Sequence, residues 1–198
     1  MSELMKNTTV QAIGLAGLFV LGAGMPTQAA VMGPTGNFYD IIWARGITWV
    51  AANAAANAMT YDGASGHLAT ITSAAEDAFI NGAIAGGGLG EVWAGGFQSP
   101  ITETDPTAGW TWVNGEGAFG AYQPWGTNPE PNDNYGPASE QYLGLNAVNG
   151  WNDEGALGNI TGFVVEFDSS QVPEGTAGLA GIIAIVGLFA AHRKMKMA

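Results

Sequence analysis

The chain has 198 residues, enough for one domain of ordinary size with export or anchoring segments, and too few for a multidomain enzyme. With 31 glycines and 47% apolar residues against 11% charged ones, it is neither a charged disordered tail nor a coiled coil. Between Val31 and Val172 Arg45 stands alone against 15 carboxylates, a net charge of −14 that repels nucleic acid and anionic lipid and leaves divalent cations as the natural partners.

In chain order, a lone Lys6 precedes an apolar run from Val10 to Ala23, then Pro26 and Thr27-Gln28-Ala29-Ala30. The run is shorter than the ~20 residues of a spanning helix and ends in small residues, so residues 1–30 read as a secretory signal peptide cut after Ala29 or Ala30. The protein is therefore expected to be exported. It has no cysteine, so no disulfide supports it and the core must supply its stability. Seven Trp, eight Phe and five Tyr provide the buried area for that.

Asn37–Trp43 alternates and is rich in aromatic and β-branched residues, the pattern of a first strand. Thr48 is placed to cap a helix over Trp49–Met59, with Gly63 and Gly66 breaking it. His67–Ile71 reads as a short extended link, with His67 a satisfied buried histidine. Ser73, with Glu76 three residues on, has capping-box spacing for a second helix to about Ile84, ended by Gly86-Gly87-Gly88. Glu91–Phe97 resumes a strand, and short strands separated by Gly, Pro and Asn loops follow to Phe167. Strand, helix, helix and a loop-rich β region make an α+β domain.

After Val172-Pro173-Glu174 come 17 uncharged residues from Gly175 to Ala191, then His192-Arg193-Lys194-Met195-Lys196. This is a stop-transfer pattern whose basic end stays cytoplasmic. Residues 173–198 resemble the PEP-CTERM sorting tail of bacterial exported proteins. The resemblance implies a membrane anchor, at least a transient one, processed by an exosortase. Gly175 departs from the pattern, standing where a second proline usually sits.

Gly66-His67-Leu68-Ala69-Thr70-Ile71, Trp93-Ala94-Gly95-Gly96, Gly109-Trp110-Thr111-Trp112, Glu130-Pro131-Asn132 and Gly150-Trp151-Asn152-Asp153 occur in that order before a final strand, Gly162–Phe167. In order and spacing they resemble the C-type lectin-like domain, over Asn37 to Phe167 within a domain spanning 31–172. The resemblance implies a two-helix, double-looped fold whose long loop carries a calcium and sugar site. It assigns Glu130, Asn132, Asn152 and Asp153 to both functions, with a cis peptide at Pro131. A further acidic ligand lies between the motifs; Glu140 is the candidate, with Asp133 and Glu154 as competitors.

The residue types agree with that assignment, since carboxylate and amide oxygens suit Ca²⁺ and not Zn²⁺. The implied partner is a glycan or exopolysaccharide, with Glu130 and Glu140 accepting and Asn132 and Asn152 donating hydrogen bonds to its hydroxyls. The E-P-N order implies mannose-like sugars. The alternative is a structural or adhesion domain of the envelope or extracellular matrix that binds protein. Tyr142 stands near where the family places a loop cysteine, so loop rigidity falls to packing, with Trp125 and Trp151 expected in the core. Enzyme signatures are missing: there is no G-x-S-x-G, Walker A, H-E-x-x-H or Rossmann pattern, and no phosphate-binding lysine follows Gly86-Gly87-Gly88.

Overall fold

A computed structural model describes residues 30–156 and 159–169. The expected signal peptide, but for Ala30, and the expected tail over 173–198 lie outside the described residues. Among the described residues no helix is long and apolar enough to cross a membrane.

The chain runs through β1 (Val31–Met32), β2 (Phe38–Trp43), α1 (Trp49–Asn57), β3 (Thr60–Tyr61), β4 (Ala64–Leu68) and α2 (Ala74–Gly87). It continues through β5 (Glu91–Gln98), β6 (Trp110–Trp112), β7 (Tyr142–Asn146), β8 (Gly150–Glu154) and β9 (Ile160–Phe167). The main sheet has the order β1-β2-β9-β5-β7-β8. The last strand closes the fold: β9 pairs antiparallel with all of β2, antiparallel with β4 near its C-terminal end, and parallel with β5 near its start. The other strand–strand pairings are antiparallel, so the class is α+β, as the element order requires.

Strand periodicity sorts the core into two clusters. Val92, Ala94 and Val164 pack with Ile80 and Ile84 of α2. Trp93, Phe163 and Val165 pack with Trp49, Ala52 and Ala56 of α1. Successive residues of a strand point to opposite faces, so one helix covers each set, and β9 is buried along its whole length. Two indoles fasten α1 to β5: Trp49 Nε1 donates to the Ala94 carbonyl and Trp93 Nε1 to the Ile47 carbonyl, both at 2.8 Å.

The glycine of the Trp93-Ala94-Gly95-Gly96 motif has a steric reason. A Cβ at Gly95 would stand 2.7 Å from the Leu68 carbonyl oxygen, which is backbone and cannot rotate away. Gly95→Ala is therefore expected to destabilise the domain by about 1–3 kcal/mol, measured by urea unfolding.

Both helices begin where their caps place them. Thr48 Oγ1 accepts from Ala51 N, and Ser73 Oγ accepts from Glu76 N. Glu76 reaches one residue further back than a capping box, its Oε2 accepting from Thr72 N at 3.0 Å, while Tyr39 donates to its Oε1 at 2.8 Å. The α2 end differs from expectation, since Gly86 and Gly87 stay helical and Gly88, at φ 66°, caps it.

The end of α1 differs more. It stops at Asn57, before either glycine, and the chain turns into the β3–β4 hairpin through Asp62 and Gly63, at φ 47° and 89°. A two-residue Asp-Gly connection with both φ positive is the turn a tight hairpin favours. Gly66 is not a helix breaker; it lies in β4, where a Cβ would stand 2.7 Å from the Ala56 carbonyl oxygen. His67 is mostly buried with both ring nitrogens engaged, Nδ1 with the Leu68 carbonyl at 2.9 Å and Nε2 with Asp168 Oδ1 at 3.4 Å.

Candidate functional site

The segment between β6 and β7 carries Glu130, Asn132 and Glu140, and β8 carries Asn152 and Asp153. Both rest on an aromatic floor. Trp151 is 1% exposed, meets Trp112, Trp125 and Tyr122 edge-on, and donates its Nε1 to Asp77 Oδ1 at 2.9 Å. Trp125 is only half-buried and packs on Trp110 as well. Tyr142 stacks on Trp49 with ring centroids 4.9 Å apart, so the position near which the family places a loop cysteine is fixed by aromatic contact.

Carboxylates bonded to main-chain amides hold the loop together. Asp153, fully buried, accepts from Asn132 N at 2.9 and 3.0 Å and from Asp133 N at 2.8 Å. Asp133 in turn accepts from the backbone of Ala138, Ser139 and Glu140 at 3.0–3.1 Å. Glu140 Oε2 closes the chain by accepting from Asn134 N at 2.6 Å. Such charge-assisted bonds are about twice as strong as neutral ones, and they supply the rigidity that disulfides would otherwise give. Asp133, a competitor for the third acidic ligand, is thus spent on the loop itself.

The Glu130–Pro131 peptide is cis, as the resemblance implied. Asn132 Nδ2 donates to Glu130 Oε2, and Asn132 Oδ1 is buried with no hydrogen-bond partner. A buried amide oxygen left unpaired is costly, and a water molecule or a cation would satisfy it.

Asn152 and Asp153 leave β8 on opposite faces, with Glu130 next to both. β8 is a regular strand, so successive side chains point to opposite faces. Asp153 goes under the loop; Asn152 goes to the other side, where its Nδ2 donates to Glu91 Oε1 at 3.1 Å and Glu154 Oε1 at 3.2 Å. Glu130 borders both groups. With Glu91 and Asn152 it lines a cleft of about 300 Å³, alongside Asn128, Asn146 and Asn149. Glu91 was not picked out from the sequence, and no local pattern marks it: a glutamate opening a strand looks like any exposed strand end.

Among the described residues, no three Asp, Glu or His side chains are arranged as a ready metal cage. The donors nevertheless suit a hard cation. They are oxygens only, one is orphaned, and the carboxylates oppose each other's ionisation. Burial, then the Asp153 carboxylate, pushes Glu130 up to about 7. Burial, then Asp153, Glu154 and Asp133, pushes Glu140 up to about 7 against the pull of the Asn134 amide. Glu154 is raised to about 7 by burial and by Glu91, and Glu91 is raised mainly by burial. Burial is the largest cause of these shifts and the neighbouring carboxylates add to it; a divalent cation would relieve the repulsive part.

No family model matches the sequence, and no curated protein matches it. Solved structures do. The C-type lectin CEL-I from Cucumaria echinata aligns at 19% identity over 67% of this chain and 90% of its own, with a TM-score of 0.53. Human lithostathine aligns at 24% identity over 67% of this chain and 83% of its own, with a TM-score of 0.52. The carbohydrate-recognition domain of cow CD23, in the presence of a GlcNAc2Man3 oligosaccharide, aligns at 21% over 66% and 86%, with a TM-score of 0.50. With the strand order and the two helices described above, these alignments fix the architecture, and the chain folds as a C-type lectin-like domain.

Proposed function

We propose that the chain is an exported, membrane-tethered carbohydrate-binding module whose glycan site depends on calcium. The carrying observation is the orphaned Asn132 Oδ1 beside Glu130, within a set of carboxylates that raise one another's pKa. Glu130, Asn132 and Glu140 from the loop, with Asn152 and Asp153 from β8, would hold the ion through oxygens. When bound, calcium supplies coordination positions for two adjacent sugar hydroxyls. Glu130 accepts from one hydroxyl, and Asn132 Nδ2, released from Glu130, donates to its neighbour. The cow CD23 domain was solved in the presence of a GlcNAc2Man3 oligosaccharide, and the shared fold together with the polar cleft here supports the same class of ligand. On this reading the module binds glycan without converting it. Domain 31–172 would face the envelope exterior, with 173–198 as its PEP-CTERM-like anchor and exosortase substrate.

The order of acceptor and donor then encodes the sugar. Glu130→Gln with Asn132→Asp conserves size, charge and both calcium oxygens while reversing that order. The double variant is expected to bind calcium as before and to shift from mannose-like toward galactose-like ligands on a glycan array. An unchanged sugar ranking with intact calcium binding would contradict the roles given to Glu130 and Asn132.

A further inference from the structure

Glu91, Gly144 and Asn152 lie on one face of three adjacent strands. Trp93 pairs with Gly144 across β5 and β7, and Gly144 pairs with Asn152 across β7 and β8. Residues two apart on a strand share a face, so Glu91 sits on the side of Trp93. Gly144 has no side chain, and the Glu91 carboxylate occupies the space: a Cβ built at Gly144 would fall 2.1 Å from Glu91 Oε1. The glutamate thereby crosses β7 and takes one Asn152 N–H from β8 at 3.1 Å, while Glu154 takes the other at 3.2 Å.

We propose that Glu91 is a positioning residue that fixes the Asn152 amide so that it offers the cleft its oxygen and not its NH₂. A primary amide has two N–H donors and one acceptor oxygen. With both donors held by carboxylates, Asn152 can serve a cation but cannot donate to a sugar hydroxyl. That departs from the donor role the family resemblance assigns to Asn152. Gly144 is part of the device, since any side chain there would evict the carboxylate.

The calcium arm of the test rests on the function proposed above; the amide arm does not. In the full-length chain, ¹⁵N-labelled and solubilised in mild detergent without calcium, both Asn152 Nδ2 protons should be protected from solvent exchange. In Glu91→Ala one of them should lose its protection and move upfield, and Glu91→Gln, which keeps an acceptor oxygen, should restore it. Gly144→Ala should reproduce the Glu91→Ala spectrum, and adding it to Glu91→Ala should change nothing further at Asn152. With calcium alone as the probe, Glu91→Ala should lower affinity about 10-fold or more, in the range seen when an outer partner of a metal ligand is removed. Unchanged Asn152 amide signals in Glu91→Ala would overturn the inference, as would unchanged calcium affinity in a chain that binds calcium. A wild-type chain that binds no calcium would refute the proposed function, while the amide signals would still decide the role of Glu91.

Discussion

Saturating calcium is expected to raise the melting temperature of the domain spanning residues 31–172, and to raise it more at about pH 8 than at about pH 5. Glu130, Glu140 and Glu154 have an ordinary value of 4.5 and sit at about 7 in the folded chain. A carboxylate raised on folding binds its proton more tightly in the native state. Its contribution to stability is therefore fully present below about pH 4.5 and is lost as the pH rises through about 7. Without a divalent cation the melting temperature should fall between about pH 5 and about pH 8. A cation held by these groups displaces their protons and cancels the repulsion, so the fall should largely disappear. At a hundred times the dissociation constant the gain is about 2.7 kcal/mol, which for a domain of this size is on the order of 10 °C. Calorimetry in calcium and in chelator at both pH values checks this, and superimposable melting curves at about pH 8 would count against the site.

Trp151→Ala should be the most damaging single change near the site, costing about 3–5 kcal/mol in urea unfolding, as do other deletions of large buried aromatics. Trp151 contributes to the aromatic floor through Trp112, Phe119, Tyr122 and Trp125, and it ties β8 to α2 through Asp77. Trp151→Phe keeps a ring but drops the indole N–H, leaving a half-buried oxygen of Asp77 with one partner fewer, so about 1–2 kcal/mol is expected. Because Asn152 and Asp153 are its chain neighbours, calcium and sugar binding should weaken in parallel with stability. A Trp151→Ala domain as stable as wild type would mean that the ring cluster does not support the loop.

The sequence carried the features that act locally. Thr48 and Ser73 announced both helix starts because a capping oxygen needs only the next three residues to find its partner. The alternation of Asn37–Trp43 announced β2 for the same reason, whereas the cis Glu130–Pro131 peptide followed from the family resemblance. The β3–β4 hairpin has a local signal too, Asp62-Gly63, but a glycine there marks a tight turn and the end of α1 equally well. What the sequence could not show depends on pairing across strands. Asn152 and Asp153 look like one ligand pair in a motif, yet strand pleating sends them to opposite faces. Asp133 looks like a candidate ligand until the loop closes and its carboxylate meets three amides. Glu91 gains its place only because Gly144, 53 residues later, lies beside it in the sheet.

The most direct measurement is retention of the wild-type domain on an immobilised mannose-type glycan, in calcium and then in excess chelator, with an immobilised galactose-type glycan alongside. Retention in calcium, release by chelator and preference for the mannose-type surface are the results expected. Binding to a glycan surface that persists in chelator would contradict the calcium-dependent site, and an absence of glycan binding in calcium, by a domain whose melting shows it to be folded, would contradict the carbohydrate-binding function itself.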